Sequence, residues 1–225
     1  MKLIRAVFFT ALAAMAQTPA PRSTVQATGT ATVSVTPDQA QVNVSAVTTA
    51  ATAQDAANQN ATIATNIQMQ ITQALGTSGT VKTVNYSVTP NYTYNKDGSS
   101  TLNGYTVTNS IQVTLNDLTI TGKIIDTAVQ AGASRIDSLV FTLKDDTDAR
   151  SQALKAATLK AKTKADAMAA SVGLTTGPIL AIQEAGAVVN PITTVASPGA
   201  TASTPVQPGN LSVTGNVTIA VQLSQ

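Results

Sequence analysis

The chain has 225 residues, of which only 11% are charged, with 13 basic and 11 acidic side chains and neither cysteine nor histidine. These missing residue types exclude a Ser-His-Asp or Cys-His catalytic site, a thiol redox centre and the usual ligand sets of zinc and haem. We therefore expect no enzyme activity, no catalytic residues, no metal site and no cofactor.

The first 16 residues are predicted to be a cleaved secretory signal. Lys2 and Arg5 form a short positive segment before an apolar stretch over residues 6–14. Ala14-Met15-Ala16 then supplies the small side chains at which signal peptidase cuts. The apolar stretch is too short for a bilayer span, which needs about 20 residues. No later stretch is apolar enough for one, so we predict no transmembrane segment after cleavage and a periplasmic or secreted location.

Removal of the signal leaves 11 basic and 11 acidic residues, because Lys2 and Arg5 leave with it. The mature chain is then formally neutral, so the basic character of the full sequence does not indicate nucleic-acid binding, for which a strongly positive face is expected. A surface with so little net charge also repels other copies weakly. We expect a homo-oligomer, with another envelope protein as the alternative partner.

The mature chain is predicted to begin with a flexible leader over residues 17–27, rich in Pro, Thr, Gln and Ala, followed by one domain over residues 28–225. A strand is predicted from Thr28, because Val33 and Val35 alternate with polar residues. The alternation resumes after Pro37 with the opposite parity. This shift predicts a bend or bulge at residues 36–38, since proline cannot donate a hydrogen bond within a sheet.

A first amphipathic helix is predicted to begin at Thr52, with Asp55 in a capping-box position, and to end at Gly76. Two strands follow, joined by a turn at residues 96–98. Pro90 favours an edge position for the first of them, and the second alternates between apolar and polar residues up to Leu115. We predict a hairpin.

A second helix is predicted after Asn116 or Asp117 and ends at Gly132, followed by a strand over residues 136–143 that is apolar on both faces and therefore central in its sheet. The longest helix is predicted over residues 146–172. Its predicted inward positions are Leu154, Ala157, Ala161, Ala165, Met168 and Val172.

The last part of the chain is predicted as a short strand over residues 178–184, a mobile low-complexity loop over residues 185–209 and a well-alternating strand over residues 211–223 that returns to the sheet. The summed order is β-α-β-β-α-β-α-β-β. This order predicts an α+β fold with mainly antiparallel sheet or sheets and three amphipathic helices packed on the apolar face.

Charged and sulfur-containing side chains offer few sites. Asp145, Asp146 and Asp148 are compatible with a hard-cation site or a paired-carboxylate catalyst, but they stand where the longest helix begins, and we favour helix capping.

Met69 and Met168 are interpreted as core residues rather than as oxidant scavengers. On the longest helix, four lysines are candidates for contact with anionic lipid or polymer, although a solvated face with an i,i+4 pair to Asp166 is preferred. These four are Lys155, Lys160, Lys162 and Lys164.

Four tyrosines are the candidate binding surface of the predicted hairpin. They are Tyr86, Tyr92, Tyr94 and Tyr105. Their proximity in one hairpin is also typical of cross-strand packing, which we favour over a ligand groove.

Several segments together resemble one known family. The stretch from Gly29 to Ala40 looks like the opening strand and Pro-Asp turn of the SIMPL-domain (DUF541) family of bacterial periplasmic and outer-membrane-associated proteins. The segments Pro90-Asn91-Tyr92-Thr93-Tyr94 and Gly104-Tyr105-Thr106-Val107-Thr108-Asn109 resemble that family's paired Tyr-bearing strands. Asp117-Leu118, Gly132-Ala133, Phe141-Thr142-Leu143 and Pro208-Gly209 fit as well. The resemblance spans nearly all of residues 28–225, and it rests on the order and spacing of these segments rather than on one motif.

The resemblance implies a location in the periplasm or at the outer membrane, and a link of some members to tolerance of oxidative stress. Some members are surface or periplasmic antigens, and at least one branch is similar to a ring-like or channel-like homo-oligomer. It supplies no catalytic residues to transfer. Our leading hypothesis is a non-enzymatic envelope protein that self-assembles, and the alternative is a periplasmic binding module that uses the Tyr-bearing hairpin to bind a partner protein or small ligand.

Overall fold

The structure is a computed structural model that describes residues 23–190, 192–194, 206 and 208–225. The predicted signal peptide, residues 17–22 of the predicted leader, and residues 191, 195–205 and 207 of the predicted loop lie outside these described residues.

Eight strands and three α-helices make up the described chain, and they confirm the predicted α+β class and element order. In chain order they are β1 (Thr24–Val35), β2 (Gln39–Ala50), α1 (Ala53–Leu75), β3 (Gly79–Tyr94), β4 (Ser100–Leu115), α2 (Thr121–Gln130), β5 (Arg135–Thr142), α3 (Thr147–Ser171), β6 (Thr175–Asn190), β7 (Ile192–Thr194) and β8 (Leu211–Ser224), with one short 3₁₀ turn, Leu118–Ile120, before α2.

The strands form two antiparallel sheets. One has three strands in the order β1-β8-β6, and the other has five in the order β3-β4-β2-β5-β7. The alternating last strand, β8, does return to a sheet and is its central strand. Pro90 lies in β3, an edge strand as predicted, and β5 lies between β2 and the short β7.

The parity shift near Pro37 marks a change of sheet rather than a bend within one strand. β1 ends at Val35 in the three-stranded sheet, and β2 begins at Gln39 in the five-stranded one. Between them, an Asp38 carboxylate oxygen accepts from the Lys144 backbone N–H at 2.7 Å. Each strand needs its own apolar face toward a different helix layer, and this explains why the alternation reverses.

The five-stranded sheet carries α1 and α2 on one face. Helix α1 begins as predicted, with the Thr52 hydroxyl accepting from the Asp55 N–H at 3.1 Å, and it ends at Gly76, whose φ of 56° suits glycine. The fully buried side chains of this layer include Val42, Val44, Ile67, Ile71, Ile111, Leu115, Ile124 and Phe141.

Helix α3 lies on the three-stranded sheet, and all of its fully buried residues are alanines, with the partly buried Leu154 packed beside them. Its buried residues recur every four positions and are Ala149, Ala153, Ala157, Ala161, Ala165 and Ala169. Gly29 of β1 and Gly215 of β8 lie beneath this stripe, where a Cβ atom would meet helix backbone within 3.0 Å. Small residues on both sides allow the helix and sheet backbones to approach unusually closely.

Two predicted core positions of α3 are wrong. Met168 is 47% exposed and Val172 is 66% exposed, and Met69 of α1 is 57% exposed as well. The buried stripe of α3 contains Ala165 and Ala169, so Met168 stands at the margin of the helix face above β1, and Val172 lies past the last buried turn. Apolar character alone did not distinguish these methionines from the alanines beside them.

Two boundaries also differ from the prediction. β1 begins at Thr24, so residues 24–27 of the predicted leader are in a strand, with Val25 and Ala27 buried. β6 spans Thr175–Asn190, so residues 185–190 of the predicted loop are in a strand too, and residues 192–194 form β7 against β5. Pairing with β8 and β5 orders segments whose local sequence is low in complexity. Within the described residues, no helix is long and apolar enough to span a bilayer.

Candidate functional site

The acidic cluster at the start of α3 forms helix-capping and surface contacts. An Asp145 carboxylate oxygen accepts from the Thr147 N–H at 2.9 Å, and the hydroxyl and N–H of Thr147 lower the pKa of Asp145. Asp146 pairs instead with Arg150 at 2.7 Å, one turn further along the helix. Across the described residues, no group of three or more acidic side chains is arranged to hold a metal ion. The Asp145 side chain thus bonds to the first residue of α3, whereas Asp146, the N-cap residue, makes no capping hydrogen bond through its side chain.

The four tyrosines lie on the β3–β4 hairpin but do not face one another. In the strand register, Tyr86 is opposite Asn109, Tyr92 is opposite Leu102 and Tyr94 is opposite Ser100. Tyr105 is opposite Pro90 and is the least exposed of the four. Because cross-strand partners share a face, Tyr92 and Leu102 lie together on one side of the hairpin. Tyr94, at 81%, is the most exposed of the large apolar side chains near the turn.

A small uncharged cavity lies between α1 and α2. It has a volume of about 250 Å³ and is lined by Asn66, Gln70, Thr127, Gln130 and Ala131. The Asn66 amide already donates to the Ala131 carbonyl at 2.8 Å, so part of its polar lining serves the contact between the two helices. With no charge and no aromatic side chain, the cavity has little to bind a ligand strongly.

Two of the four lysines of α3, Lys162 and Lys164, bond to other residues of the structure. Lys162 makes the predicted ion pair with Asp166 at 2.5 Å, and Lys162 and then Thr176 lower the pKa of Asp166. Lys164 reaches the edge of the sheet, where its ammonium group donates to the backbone carbonyl of Thr28 at 2.9 Å. Lys155 and Lys160 are exposed. Helical spacing alone does not indicate that one lysine of this helix bonds to a strand edge.

Within the described residues, the outer edge of β1 is a candidate surface for binding another chain. The Leu223 N–H donates to the Ser23 carbonyl at 2.9 Å, so odd-numbered residues at this end exchange hydrogen bonds with β8. In an antiparallel pair the alternate residues point their backbone groups to the other side. Along β1 these outward residues are Thr24, Gln26, Thr28, Thr30, Thr32 and Ser34.

Apart from the bond of Lys164 to the Thr28 carbonyl, the described residues give this edge none of the common features that protect sheet edges. All 12 residues of β1 pair with β8 in one unbroken register, without a charged side chain, a proline or a bulge. By contrast, the edge strand β3 has two register shifts, Lys82 and Pro90. Regular, uncharged edges present a row of unpaired N–H and C=O groups that can accept a further strand.

The opposite edge of the same sheet is β6, which pairs irregularly with β8. As at β1, a cationic side chain of α3 bonds to a backbone carbonyl of this edge. Its pairing with β8 has three register shifts, at residues 176–179, 179–181 and 184–187. The Arg150 guanidinium donates to the carbonyl of Ala187. Helix α3 thus donates one cationic group to each outer edge of the three-stranded sheet, Lys164 on β1 and Arg150 on β6.

Comparison with known proteins identifies the family. The chain is 30% identical over 103 residues to the uncharacterized protein YggE of Edwardsiella ictaluri, which covers 46% of this chain and 43% of that protein. It is also 30% identical over 168 residues to the 26 kDa periplasmic immunogenic proteins of Brucella melitensis and Brucella abortus, which covers 71% of this chain and 66% of each relative. The matched regions therefore span less than two thirds of the length of these relatives.

The family model described as SIMPL, protein of unknown function (DUF541), matches residues 25–221, which include nearly all of the described strands and helices. The resemblance seen in the sequence is confirmed. This protein belongs to the SIMPL (DUF541) family.

Proposed function

We propose that this protein is a non-enzymatic component of the bacterial cell envelope that assembles into homo-oligomers. A periplasmic location is supported by the names of the two Brucella relatives, both called periplasmic immunogenic proteins. The predicted signal peptide agrees with it.

The observation that supports self-assembly is the regular, uncharged outer edge of β1, with six outward-facing residues in one continuous register. Among the residues that the structure describes, only Lys164 bonds to these outward backbone groups, through the Thr28 carbonyl. A second copy supplies strand edges of the same polar character at no cost in charge repulsion, because the mature chain has a predicted net charge of zero.

Light scattering of the purified, signal-processed protein tests this proposal. At micromolar concentration we expect a mass that is a multiple of the chain mass and that is little changed by moderate salt, since backbone hydrogen bonds rather than long-range charge hold the edges together. A strict monomer across this concentration range would refute self-assembly.

A second candidate function is a binding module based on the β3–β4 hairpin. The exposed apolar side chains of Tyr92, Tyr94 and Leu102 support it, since all three lie near the turn of the hairpin and the two tyrosines are on β3, an edge strand of its sheet. If it holds, the double substitution Tyr92→Ser and Tyr94→Ser abolishes capture of an envelope partner in intact cells and leaves the oligomer mass unchanged. Loss of the oligomer together with capture would instead place these tyrosines in the self-assembly surface.

A link to tolerance of oxidative or envelope stress is part of the same proposal and rests on the family resemblance. Without cysteine the chain has no thiol for peroxide chemistry. Any protection would therefore act by a route that uses no thiol of this chain.

A further inference from the structure

In the part of the chain that the structure describes, the two outer edges of the three-stranded sheet carry opposite charges that have no ion-pair partner, since Arg150 at the β6 edge is already paired with Asp146. On β6, Glu184 is the one charged residue of the strand. It is opposite Val217 of β8, a residue buried beneath α3, so Glu184 stands on the α3 side of the sheet. At the β1 edge, Lys164 lies on the same side of the sheet, because it is a residue of α3 and reaches Thr28 from there. Within the described residues, neither Glu184 nor Lys164 belongs to an ion pair.

These two charges also lie at the same level along the strands. Thr28, whose carbonyl binds Lys164, is opposite Thr218 of β8, and Thr218 is opposite Gln183 of β6. Glu184 is therefore one residue from the level of Thr28, at the opposite edge of the sheet. A second copy placed beside the first without a shift along the strands brings these groups together.

We infer that β6 of one copy docks on β1 of the next, with Glu184 bound to Lys164, so that the three-stranded sheet continues from copy to copy. This inference rests on the proposed self-assembly and names its surface. β1 and β6 are each antiparallel to β8, so the new pair is parallel when successive sheets keep the same orientation. The contact joins two different edges and is heterologous, which generates a ring if it closes and a filament if it does not.

The backbone groups at this level match a parallel pair. Odd-numbered residues of β8 bond toward β1, so the β6 residues opposite them, Ile182 and Glu184, point their backbone groups outward. Thr28 points its own N–H and C=O outward toward the same level. In a parallel ladder the Thr28 N–H then donates to the Ile182 carbonyl, and the Glu184 N–H donates to the Thr28 carbonyl. Lys164 leaves that carbonyl and moves to the Glu184 carboxylate.

Exposed apolar side chains stand on both sides of the same contact. Ile182 is 59% exposed and Ile179 is 40% exposed, and both are opposite buried residues of β8 on the α3 side. Met168 is also half exposed and lies one helical turn beyond Lys164. Docking would bury these three side chains against each other. The register shifts of β6 confine the ladder to residues 181–184 and 187–190.

A disulfide between copies tests the register directly, because the chain has no cysteine of its own. Thr28 and Gln183 are exposed, level with each other, and separated within one copy by β8. Two strand spacings are about 9.5 Å, too far for a disulfide within one chain, which needs Cα atoms closer than about 7 Å. The double variant Thr28→Cys with Gln183→Cys should give a ladder of covalent multimers under mild oxidation.

The single variants are the controls, and neither should crosslink. A covalent dimer from Thr28→Cys alone would show that two β1 edges pair with each other and would overturn the inference. An assembled double variant that forms no disulfide would overturn it too, while the proposed self-assembly would stand. A monomeric protein would refute both.

Charge reversal is the second arm. Glu184→Lys or Lys164→Glu alone should raise the apparent dissociation constant of the assembly about tenfold or more, because like charges then face each other. A mixture of the two single variants should assemble with the two chains in alternation, because both contacts between unlike variants pair opposite charges, and the double reversal within one chain should restore assembly as well. Lys155→Glu, at an exposed position on the same helix, is the matched control and should have no effect. Equal effects of all three single reversals would contradict a specific Glu184–Lys164 contact.

Discussion

Gly29 of β1 lies directly beneath Ala157 of α3, so close that a Cβ atom at position 29 would stand 2.0 Å from the Ala157 carbonyl oxygen. The same atom would be 2.5 Å from the Ala161 nitrogen. These contacts involve helix backbone, which cannot rotate away as a side chain can. The spacing between α3 and its sheet is therefore set by the absence of a side chain at this position.

The substitution Gly29→Ala should lower the free energy of unfolding by about 3 kcal/mol, because α3 must move outward and lose contacts along its alanine stripe. Chemical denaturation followed by circular dichroism measures the change. Gly177→Ala is the control, since its nearest neighbour is the flexible Ser224 hydroxyl at 3.0 Å. Equal stability of the two variants would show that the helix accommodates the methyl group freely.

Asn60 is a buried polar residue that joins the middle of α1 to the sheet beneath it. It is fully buried, and its amide group donates to the Ala46 carbonyl at 2.9 Å and to the Val107 carbonyl at 3.2 Å, which joins α1 to β2 and β4. Asn60→Leu should cost about 2–3 kcal/mol, because these contacts are lost in a dry environment. Asn58→Leu, at an exposed position of the same helix, should change the free energy of unfolding by less than about 0.5 kcal/mol.

Stability should be nearly independent of pH between about 5 and 8, because the chain has no histidine. The pKa values of Asp117, Asp145 and Asp166 are lowered in the fold, the first two by the Thr119 and Thr147 hydroxyls and the third by Lys162. As the pH falls, these carboxylates bind protons in the unfolded chain at a higher pH than in the folded protein. Their contribution to stability is therefore present above about pH 4 and is lost as the pH falls through their pKa values in the folded protein. Thermal unfolding measured between about pH 5 and 8 and again below about pH 4 tests both expectations. A marked loss of stability between pH 6 and 7 would contradict this assignment.

The exposed methionines give a prediction about oxidation. Dilute peroxide should convert Met69 and Met168 to sulfoxides without unfolding the protein, because neither side chain contributes to the buried cores. If β6 docks on β1, Met168 should react more slowly than Met69 in the assembled protein and at a similar rate in the Glu184→Lys variant. Peptide mass spectrometry over time reads both rates, and Met69 serves as the internal control.

Much of the fold could be predicted because its signals are local. Thr52 and Asp55 form a hydrogen-bonded cap within four residues, and the alternation from Leu211 to Leu223 is a property of one strand. The sheet change at Pro37 was visible as a reversal of parity but was interpreted as a bend, since a single strand cannot reveal which sheet it joins. Met168 was placed in the core because helical spacing indicates a face but not its width.

The candidate sites follow the same division. Sequence reasoning singled out Tyr92 and Tyr94 as residue types, and the structure shows them exposed beside Leu102 and Ser100 rather than packed on other tyrosines. It missed the edge of β1, for which the one available signal was a run of 12 residues without charge or proline. Such a run gives no indication of whether its strand is central or at an edge.

The amino-acid sequence by itself determined the class of fold, the family, the helix caps and the absence of histidine and thiol chemistry, because each depends on residue identity or on spacings of a few residues. Only the tertiary structure decided which strands lie at the edges of the sheets, that Lys164 reaches Thr28, and that Glu184 lies within one residue of the same level. These relationships join residues more than 130 positions apart in some cases, such as Thr28 and Lys164, and strand pairing across such separations depends on how whole layers pack.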